Sequence, residues 1–163
     1  MGFKDALHSL LGQTTLPAAS IEKLFAISSA SITMESVLGL KPSPVAGICF
    51  KPIESSRYDS ARTEIEELLS YSTKETGSTY RLEKDEFRFT WGILEDPDLE
   101  DLLAGLHLVS QTIIEKGLGE YLLCAIFRFG TEKPVYWVYN FKQGLYYPFI
   151  HAPGKTRDHA TEF

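Results

Sequence analysis

One stretch of the chain, residues 90–129, reads TWGILEDPDLEDLLAGLHLVSQTIIEKGLGEYLLCAIFRF and predicts a long helix followed by a buried strand. Apolar residues recur in it at helical spacing and therefore share one face: Leu99, Leu102, Leu103, Leu106, Val109 and Ile113. Asp96 is the predicted N-cap, Pro97 the first helical residue and Gly117 the stop. The nearly continuous apolar run 121–129 indicates a strand buried on both faces. The predicted core is one long helix laid on a sheet whose central strand follows it directly.

The chain before this stretch begins with a predicted helix and a short strand. Ser20 is the predicted cap of the helix, and the sequence leaves open whether the helix reaches Gly39, because β-branched residues crowd its second half. The segment KPSPVAG, which contains Pro42 and Pro44, predicts a break in regular structure. Residues 47–51 are the predicted strand.

A second helix and a hairpin are predicted between that strand and the opening stretch. Ser56 and Asp59 have the spacing of a capping box, and Gly77 is suited to end the helix. The apolar stripe of this helix contains Ala61, Ile65, Leu68 and Leu69. The hairpin covers residues 78–94 and turns at 83–85. Its second strand has the period-2 pattern of a half-buried strand, in which Phe87, Phe89, Trp91 and Ile93 alternate with Arg88, Thr90 and Gly92.

The sequence after residue 129 predicts strands joined by short turns. Glycine and polar residues mark the turns at 130–133 and 142–144, and residues between them alternate with period 2. Pro148 lacks the N–H that a central strand needs, so the last strand, 145–150, is predicted at an edge of the sheet.

The order of these elements predicts a single α+β domain. We expect an antiparallel sheet with helices packed mainly on one face, and a short amphipathic N-terminal helix. The predicted divisions are an amphipathic segment with its linker at 1–16, the α+β domain at 17–152 and a flexible tail at 153–163.

The N-terminal segment needs a surface to lie on. It places Phe3, Leu7, Leu10 and Leu11 on one side of a helix of about eleven residues, a length that is marginal in isolation. That surface is the chain's own domain, a partner protein or, through residues 3–11, a membrane. The sequence leaves these alternatives open.

Composition narrows the classes of function. The net charge of −6 over 163 residues argues against nucleic-acid binding, which needs basic surface. No apolar run approaches the ~18 residues of a membrane-spanning helix. Cys49 and Cys124 fall in predicted strands as small apolar residues, which is typical of reduced thiols in the cytoplasm. We expect a cytoplasmic protein, with peripheral membrane contact as an alternative.

No constellation of catalytic, cofactor-binding or metal-binding residues is evident. The acids of 95–101 lack the spacing of a calcium loop and suit the first turn of a helix. The four histidines lack metal-ligand spacing. We therefore predict no catalytic residue, no cofactor and no metal. The remaining enzyme hypothesis is a small-molecule enzyme that uses His107, Cys49 or Cys124.

Several segments together resemble one family. They are MGFKDALHSLLG at 1–12, GICFKPIESSRYD at 47–59, residues 91–129 of the opening stretch, and VYWVYNFKQGLYYPF at 135–149. The chain resembles, nearly end to end, the PspA-associated protein PspAB family, which occurs in archaea and some bacteria beside phage-shock-type membrane-stress proteins. The resemblance implies a small non-enzymatic accessory protein of an envelope-stress system. It carries no assigned functional residues.

The resulting hypothesis is an adaptor that binds a protein partner, a PspA-like coiled-coil protein. We expect its contacts at Phe3, Leu7, Leu10 and Leu11 in the N-terminal segment, and at Lys51, Glu54 and Arg57 beside the first strand. A homodimer is one alternative: the element order is similar to that of secretion-chaperone-like domains, which dimerise and bind helical segments of a client.

Overall fold

Three helices and six strands form the part of the chain that the structure, a computed structural model, describes, residues 19–151. In chain order they are α1 (Ala26–Leu38), β1 (Pro42–Phe50), α2 (Ser56–Thr76), β2 (Thr79–Lys84), β3 (Thr90–Glu95), α3 (Leu99–Glu115), β4 (Leu122–Phe129), β5 (Val135–Asn140) and β6 (Leu145–Ile150). The strands form one sheet in the order β2-β3-β1-β4-β5-β6, and every neighbouring pair is antiparallel. The predicted α+β architecture is confirmed.

The core lies between the helices and one face of the sheet. The six apolar residues of the α3 stripe are buried, and α3 contacts α2, β1, β3 and β4. The sheet positions that face α3 include Ala46, Ile48 and Phe50 on β1 and Phe127 on β4, all at most 2% exposed. Leu68, predicted in the stripe of α2, is instead 38% exposed. β1 and β4 are the two central strands, so the strand that follows α3 is central, as predicted.

The start of α3 differs from the prediction by two residues. Asp98 is its N-cap, and the Asp98 carboxylate accepts a hydrogen bond from the backbone N–H of Glu100 at 2.9 Å. Pro97 lies outside the helix. Asp96 is 3% exposed, and its carboxylate accepts hydrogen bonds from the N–H of Asp98 (2.7 Å) and the hydroxyl of Ser78. Asp96 and Asp98 each accept a hydrogen bond from the backbone N–H two residues further on. The sequence pattern therefore does not show which of the two aspartates is the N-cap.

The starts of α1 and α2 also differ from the sequence pattern. The cap of α2 is Ser55, whose hydroxyl accepts from the N–H of Tyr58 at 3.3 Å, so the predicted capping box at Ser56 is wrong. Ser20 does not cap α1, which begins at Ala26 after a turn. The backbone N–H of Ser20 instead donates to the carbonyl of Phe141 at 2.7 Å, and this hydrogen bond connects the segment before α1 to the end of β5. The helices end at Gly39 and Gly77, both with positive φ.

The predicted break at Pro42 and Pro44 is wrong, because both prolines lie within β1. Pairing with β3 begins only at Val45, and the register of β1 against β4 shifts between Pro42 and Ala46. Proline has no backbone N–H to donate to a neighbouring strand. It is tolerated here because the irregular end of β1 does not need that hydrogen bond. Pro148 lies in β6, the predicted edge strand.

Two strands differ from the sequence prediction in which faces they bury. In β3 the buried residues are Thr90, Gly92 and Leu94, whereas Trp91 and Ile93 are half-buried on the opposite face. The aromatic residues before them belong to a turn, and Phe87 is 70% exposed. β4 is buried on one face only, since Cys124, Ile126 and Arg128 are half-buried. Both strands therefore contribute apolar side chains to a face that the helices leave uncovered.

Candidate functional site on the open face of the sheet

The face of the sheet opposite the helices is the main candidate site. Its central positions, which we call the open face, are Val45, Gly47, Trp91, Ile93, Ile126, Arg128, Tyr136 and Val138. Within residues 19–151, the helices and their buried core lie on the other side of the sheet. An apolar sheet face without a covering layer is unusual in a soluble domain and typically marks an interaction surface.

Strand register brings the side chains of the open face together. Gly47 lies opposite Ile93 on one side and Ile126 on the other. Since Gly47 has no side chain, the indole of Trp91 leans over it: its Cε3 atom would lie 3.6 Å from a Cβ at that position. The result is a depression of about 310 Å³ across β3, β1, β4 and β5. A second depression of about 360 Å³ continues it toward β6 and includes Cys124 in its lining.

A single arginine interrupts this apolar surface. Arg128 lies opposite Tyr136 and is half-buried, and no acceptor from residues 19–151 lies within hydrogen-bond reach of its Nε. A guanidinium N–H that is removed from water without an acceptor is costly. The buried Nε–H of Arg128 is therefore a donor that an acceptor on a bound ligand would satisfy.

Two polar groups at the edge of the depression, on Arg81 and Trp91, already have partners. Arg81 pairs with Glu95 (2.9 Å) and Glu83 (2.7 Å), and these hydrogen bonds raise the pKa of Arg81 above its ordinary value. The indole N–H of Trp91 donates to the carboxylate of Asp85 at 2.9 Å, which fixes the orientation of the ring. An added ligand therefore meets a preformed apolar wall and one buried donor without an acceptor, the Nε–H of Arg128.

The residues predicted for partner contact do not lie on this face. Lys51, Glu54 and Arg57 follow β1 in the loop and first turn that lead into α2, and none of them lines either depression. Glu54 and Arg57 are exposed, and Glu54 forms an ion pair with Arg88 at 2.6 Å. Phe3, Leu7, Leu10 and Leu11 fall outside the described residues. These contacts remain predictions.

The residues of the enzyme hypothesis lie on opposite sides of the sheet. His107 is on α3, and its ring centroid lies 5.2 Å from that of Phe25. Cys49 and Cys124 pair across β1 and β4 on the side away from the helices. The sheet separates the histidine from both thiols, so they form no nucleophile–base pair. In residues 19–151, no group of three or more His, Cys, Asp or Glu side chains is placed to hold a metal ion.

Local sequence patterns do not group Trp91, Arg128 and Tyr136 as one site. The sequence contains one indication of this site, because Arg128 is the only charged residue in the apolar run 121–129. A lone charge in a buried strand needs a partner or a functional reason. The grouping of the three residues, in contrast, depends on the register of β1 between β3 and β4.

Comparison with known proteins identifies one family. The family model described as PspA associated protein B matches residues 1–163, the whole chain, which confirms the resemblance found in the sequence. No curated protein and no solved structure matches the chain. Among the helices of residues 19–151, none has the length and apolar character needed to cross a membrane.

Proposed function

We propose, since this chain belongs to the PspA associated protein B family, that it is a non-enzymatic accessory protein of a phage-shock-type membrane-stress response. It acts by binding a PspA-like coiled-coil protein. The observation that carries the proposal is the open face, an apolar depression that contains Arg128, whose buried Nε has no acceptor among residues 19–151. The occupant is an amphipathic helical segment of the partner with a carboxylate near its apolar stripe.

The dimensions of the depression suit one helix. Four neighbouring strands at about 4.8 Å spacing span about 14 Å between the outer two, and a helix with its side chains is about 10–12 Å wide. The wall of Trp91, Ile93 and Ile126 is apolar, so it favours the apolar stripe of such a helix. Burial of that stripe supplies the favourable free energy of binding.

Charge selects an acidic partner over a nucleic acid. Docking removes the remaining water from Arg128, so the occupant has to bring a carboxylate, and arginine binds carboxylates with two parallel hydrogen bonds. Phosphate backbones are disfavoured, because Glu83 and Glu95 flank the depression and the chain carries a net charge of −6.

The area of the sheet suggests that a second contact contributes. The six strands have six to nine residues each and give a flat area on the order of 500 Å², less than the ~800 Å² that each partner buries in a stable interface. The N-terminal residues Phe3, Leu7, Leu10 and Leu11 are our candidates for the remainder. Lys51, Glu54 and Arg57 are candidates for its polar rim.

The first test reverses the charge of Arg128. We expect Arg128→Glu in the full chain to weaken binding of the purified PspA-like protein of the same organism by about 30-fold or more, the range of an interface hot spot. Arg62→Glu, on exposed α2, makes the same change of charge and should leave the affinity within about twofold. Isothermal titration calorimetry measures both, and thermal melting checks that each variant is folded.

The possible outcomes test the identity of the partner and the location of its binding site separately. If the unaltered chain does not bind the PspA-like protein, the proposed partner is wrong. If it binds and Arg128→Glu binds equally well, the partner stands and the open face is not its site. Concentration-dependent dimerisation that Arg128→Glu alters would instead assign the open face to a second copy of the chain.

A deletion tests the N-terminal contact separately. Removing residues 1–12 should leave the melting temperature nearly unchanged and weaken binding to the PspA-like protein or to liposomes, because the segment is proposed to contact a partner or a membrane. Loss of the folded state on deletion would mean that the segment is part of the core, and the proposed contact would be abandoned.

A further inference from the structure

The two cysteines of the chain face each other at the centre of the sheet. Cys49 on β1 and Cys124 on β4 are directly opposed in the antiparallel register, and both are free. Cys49 is 4% exposed beneath Trp91, its neighbour on β3, whereas Cys124 is half-buried and lines the second depression of the sheet face. The Cys124 thiol is therefore accessible, and the Cys49 thiol is buried next to it on the neighbouring strand.

The backbone already satisfies the Cα distance condition for a disulfide. Opposed residues of an antiparallel pair have Cα atoms about 4.5 or 5.5 Å apart, depending on whether the pair is hydrogen-bonded. Disulfides form at Cα separations of about 4.4–6.8 Å. Either kind of pair lies within this Cα range. Opposed Cβ atoms are about 4.5–5.5 Å apart and a disulfide needs about 3.5–4.5 Å, so bond formation between Cys49 and Cys124 requires side-chain rotation and a small local approach of the two strands.

The two thiols also differ in chemical character. Interaction with the Cys49 thiol lowers the pKa of Cys124 against the opposing effect of burial. The same interaction, with burial, raises the pKa of Cys49. The accessible cysteine thus has the more stabilised thiolate, as in dithiol pairs with an attacking and a resolving cysteine.

We infer that Cys49 and Cys124 form a reversible dithiol–disulfide couple that exchanges with low-molecular-weight disulfides. This goes beyond the proposed function and does not depend on it. The Cys124 thiolate attacks one sulfur of the small disulfide RSSR, which forms a Cys124–SR mixed disulfide and expels RS⁻. The Cys49 thiol then loses its proton and attacks the Cys124 sulfur, which expels the second RS⁻. In total, two protein thiols are oxidised and RSSR is reduced to two RSH.

Residues 19–151 do not support zinc binding, the main competing use of two thiols. A structural zinc site needs four ligands, and a catalytic one three ligands and a water. Within residues 19–151 no third His, Cys, Asp or Glu side chain completes such a set at the cysteines. A covalent bond between the two sulfurs is therefore the chemistry that this pair favours.

The test is redox titration of the full chain. The protein is equilibrated with reduced and oxidised glutathione at increasing oxidising ratios, quenched with acid, alkylated and weighed by intact mass spectrometry. We expect both alkylation sites to disappear together in a single transition, with the loss of two hydrogens per chain, no bound glutathione, and full reversal by dithiothreitol. The oxidised chain should melt at a higher temperature, because the bond closes a long loop.

Two single variants serve as controls. Cys49→Ser should keep a glutathione adduct on Cys124, since no second thiol resolves it, and Cys124→Ser should react more slowly through the buried Cys49. The inference fails if both thiols of the unaltered chain remain alkylatable at the most oxidising ratio. It also fails if that chain accumulates a stable glutathione adduct or links to a second chain.

Discussion

At the scale of single residues, a few polar side chains have roles that differ from their local sequence pattern. Asp96 is the clearest case. Its carboxylate joins the start of α3 to Ser78 before β2, while its own N–H donates to the carbonyl of Pro44 at 3.1 Å. One buried acid thereby connects three segments that are distant in the chain, whereas Asp98 only caps its helix.

This difference predicts that Asp96→Ala costs more stability than Asp98→Ala. The first removes a carboxylate that is 3% exposed and that accepts hydrogen bonds from the half-buried Ser78 hydroxyl and from the Asp98 N–H, and we expect a loss of about 2–3 kcal/mol. The second removes one exposed capping bond and should cost about 1 kcal/mol. Urea unfolding measures both. Equal losses would mean that Asp96 is no more than a second cap.

Tyr146 gives a prediction of pH dependence. Its hydroxyl donates a hydrogen bond to the carbonyl of Leu24, and burial, followed by the nearby Tyr139, raises its pKa above the ordinary value of 10.0. Folding therefore favours the neutral phenol. Its contribution is fully present below pH 10 and declines as pH rises above that value, because the unfolded chain ionises first.

We therefore expect the free energy of unfolding to fall above about pH 10, and Tyr146→Phe to reduce the slope of that fall. Unfolding by urea at several pH values measures it. The phenylalanine variant should be less stable than the unaltered chain at neutral pH by about 1 kcal/mol, the value of one hydrogen bond. An unchanged slope in the variant would exclude Tyr146 as the source.

At the scale of elements, the distance between α3 and the sheet depends on a missing side chain. Gly105 faces Leu94 of β3, and a Cβ at position 105 would lie 2.2 Å from the Cδ2 atom of Leu94. Leu94 is 3% exposed, so it has little free space into which to move. The helix can lie this close to β3 because residue 105 is glycine.

This contact predicts the sign of a substitution that usually stabilises helices. In an exposed helix, Gly→Ala gains about 1 kcal/mol. We expect Gly105→Ala to lose about 1–2 kcal/mol instead, because overpacking outweighs the helix preference. In a Leu94→Ala background the same substitution should become neutral or favourable. Chemical denaturation of the four proteins gives the coupling, and additive effects would contradict the contact.

At the scale of the whole molecule, all three described helices lie on one side of a six-stranded sheet. β1 and β4 have neighbours on both sides and are covered by α3, whereas β2 and β6 are edge strands of the described sheet. Among residues 19–151 the same asymmetry leaves the open face uncovered, and it places Cys49 and Cys124 beside that face on the two central strands. Stability should therefore be concentrated in the middle of the sheet and decline toward both edges.

Hydrogen exchange checks this distribution. We expect the amides of β1 and β4 to exchange slowest and those of β2 fastest, because an edge strand opens without disturbing the core. Exchange measured by mass spectrometry on peptides of the full chain is sufficient. Adding the PspA-like protein should slow exchange in β3 and β5 along the open face. Protection of β2 equal to that of β1 would contradict the described order of stability.

The sequence by itself determined the features that depend on local periodicity and backbone chemistry. The α3 stripe, the glycines that follow α2 and α3, Pro148 at an edge and the α+β class follow from spacing, φ preference and a missing donor. Only the tertiary structure decided which apolar residues face the helices. Trp91 and Ile93 are as apolar as core residues, yet they lie outward, because β3 pairs with β1 in the register that turns Thr90, Gly92 and Leu94 inward. A one-residue difference in register exchanges the faces of a strand, and register depends on packing between residues far apart in the chain. For the same reason the open face, the position of Arg128 and the pairing of Cys49 with Cys124 follow from the folded molecule.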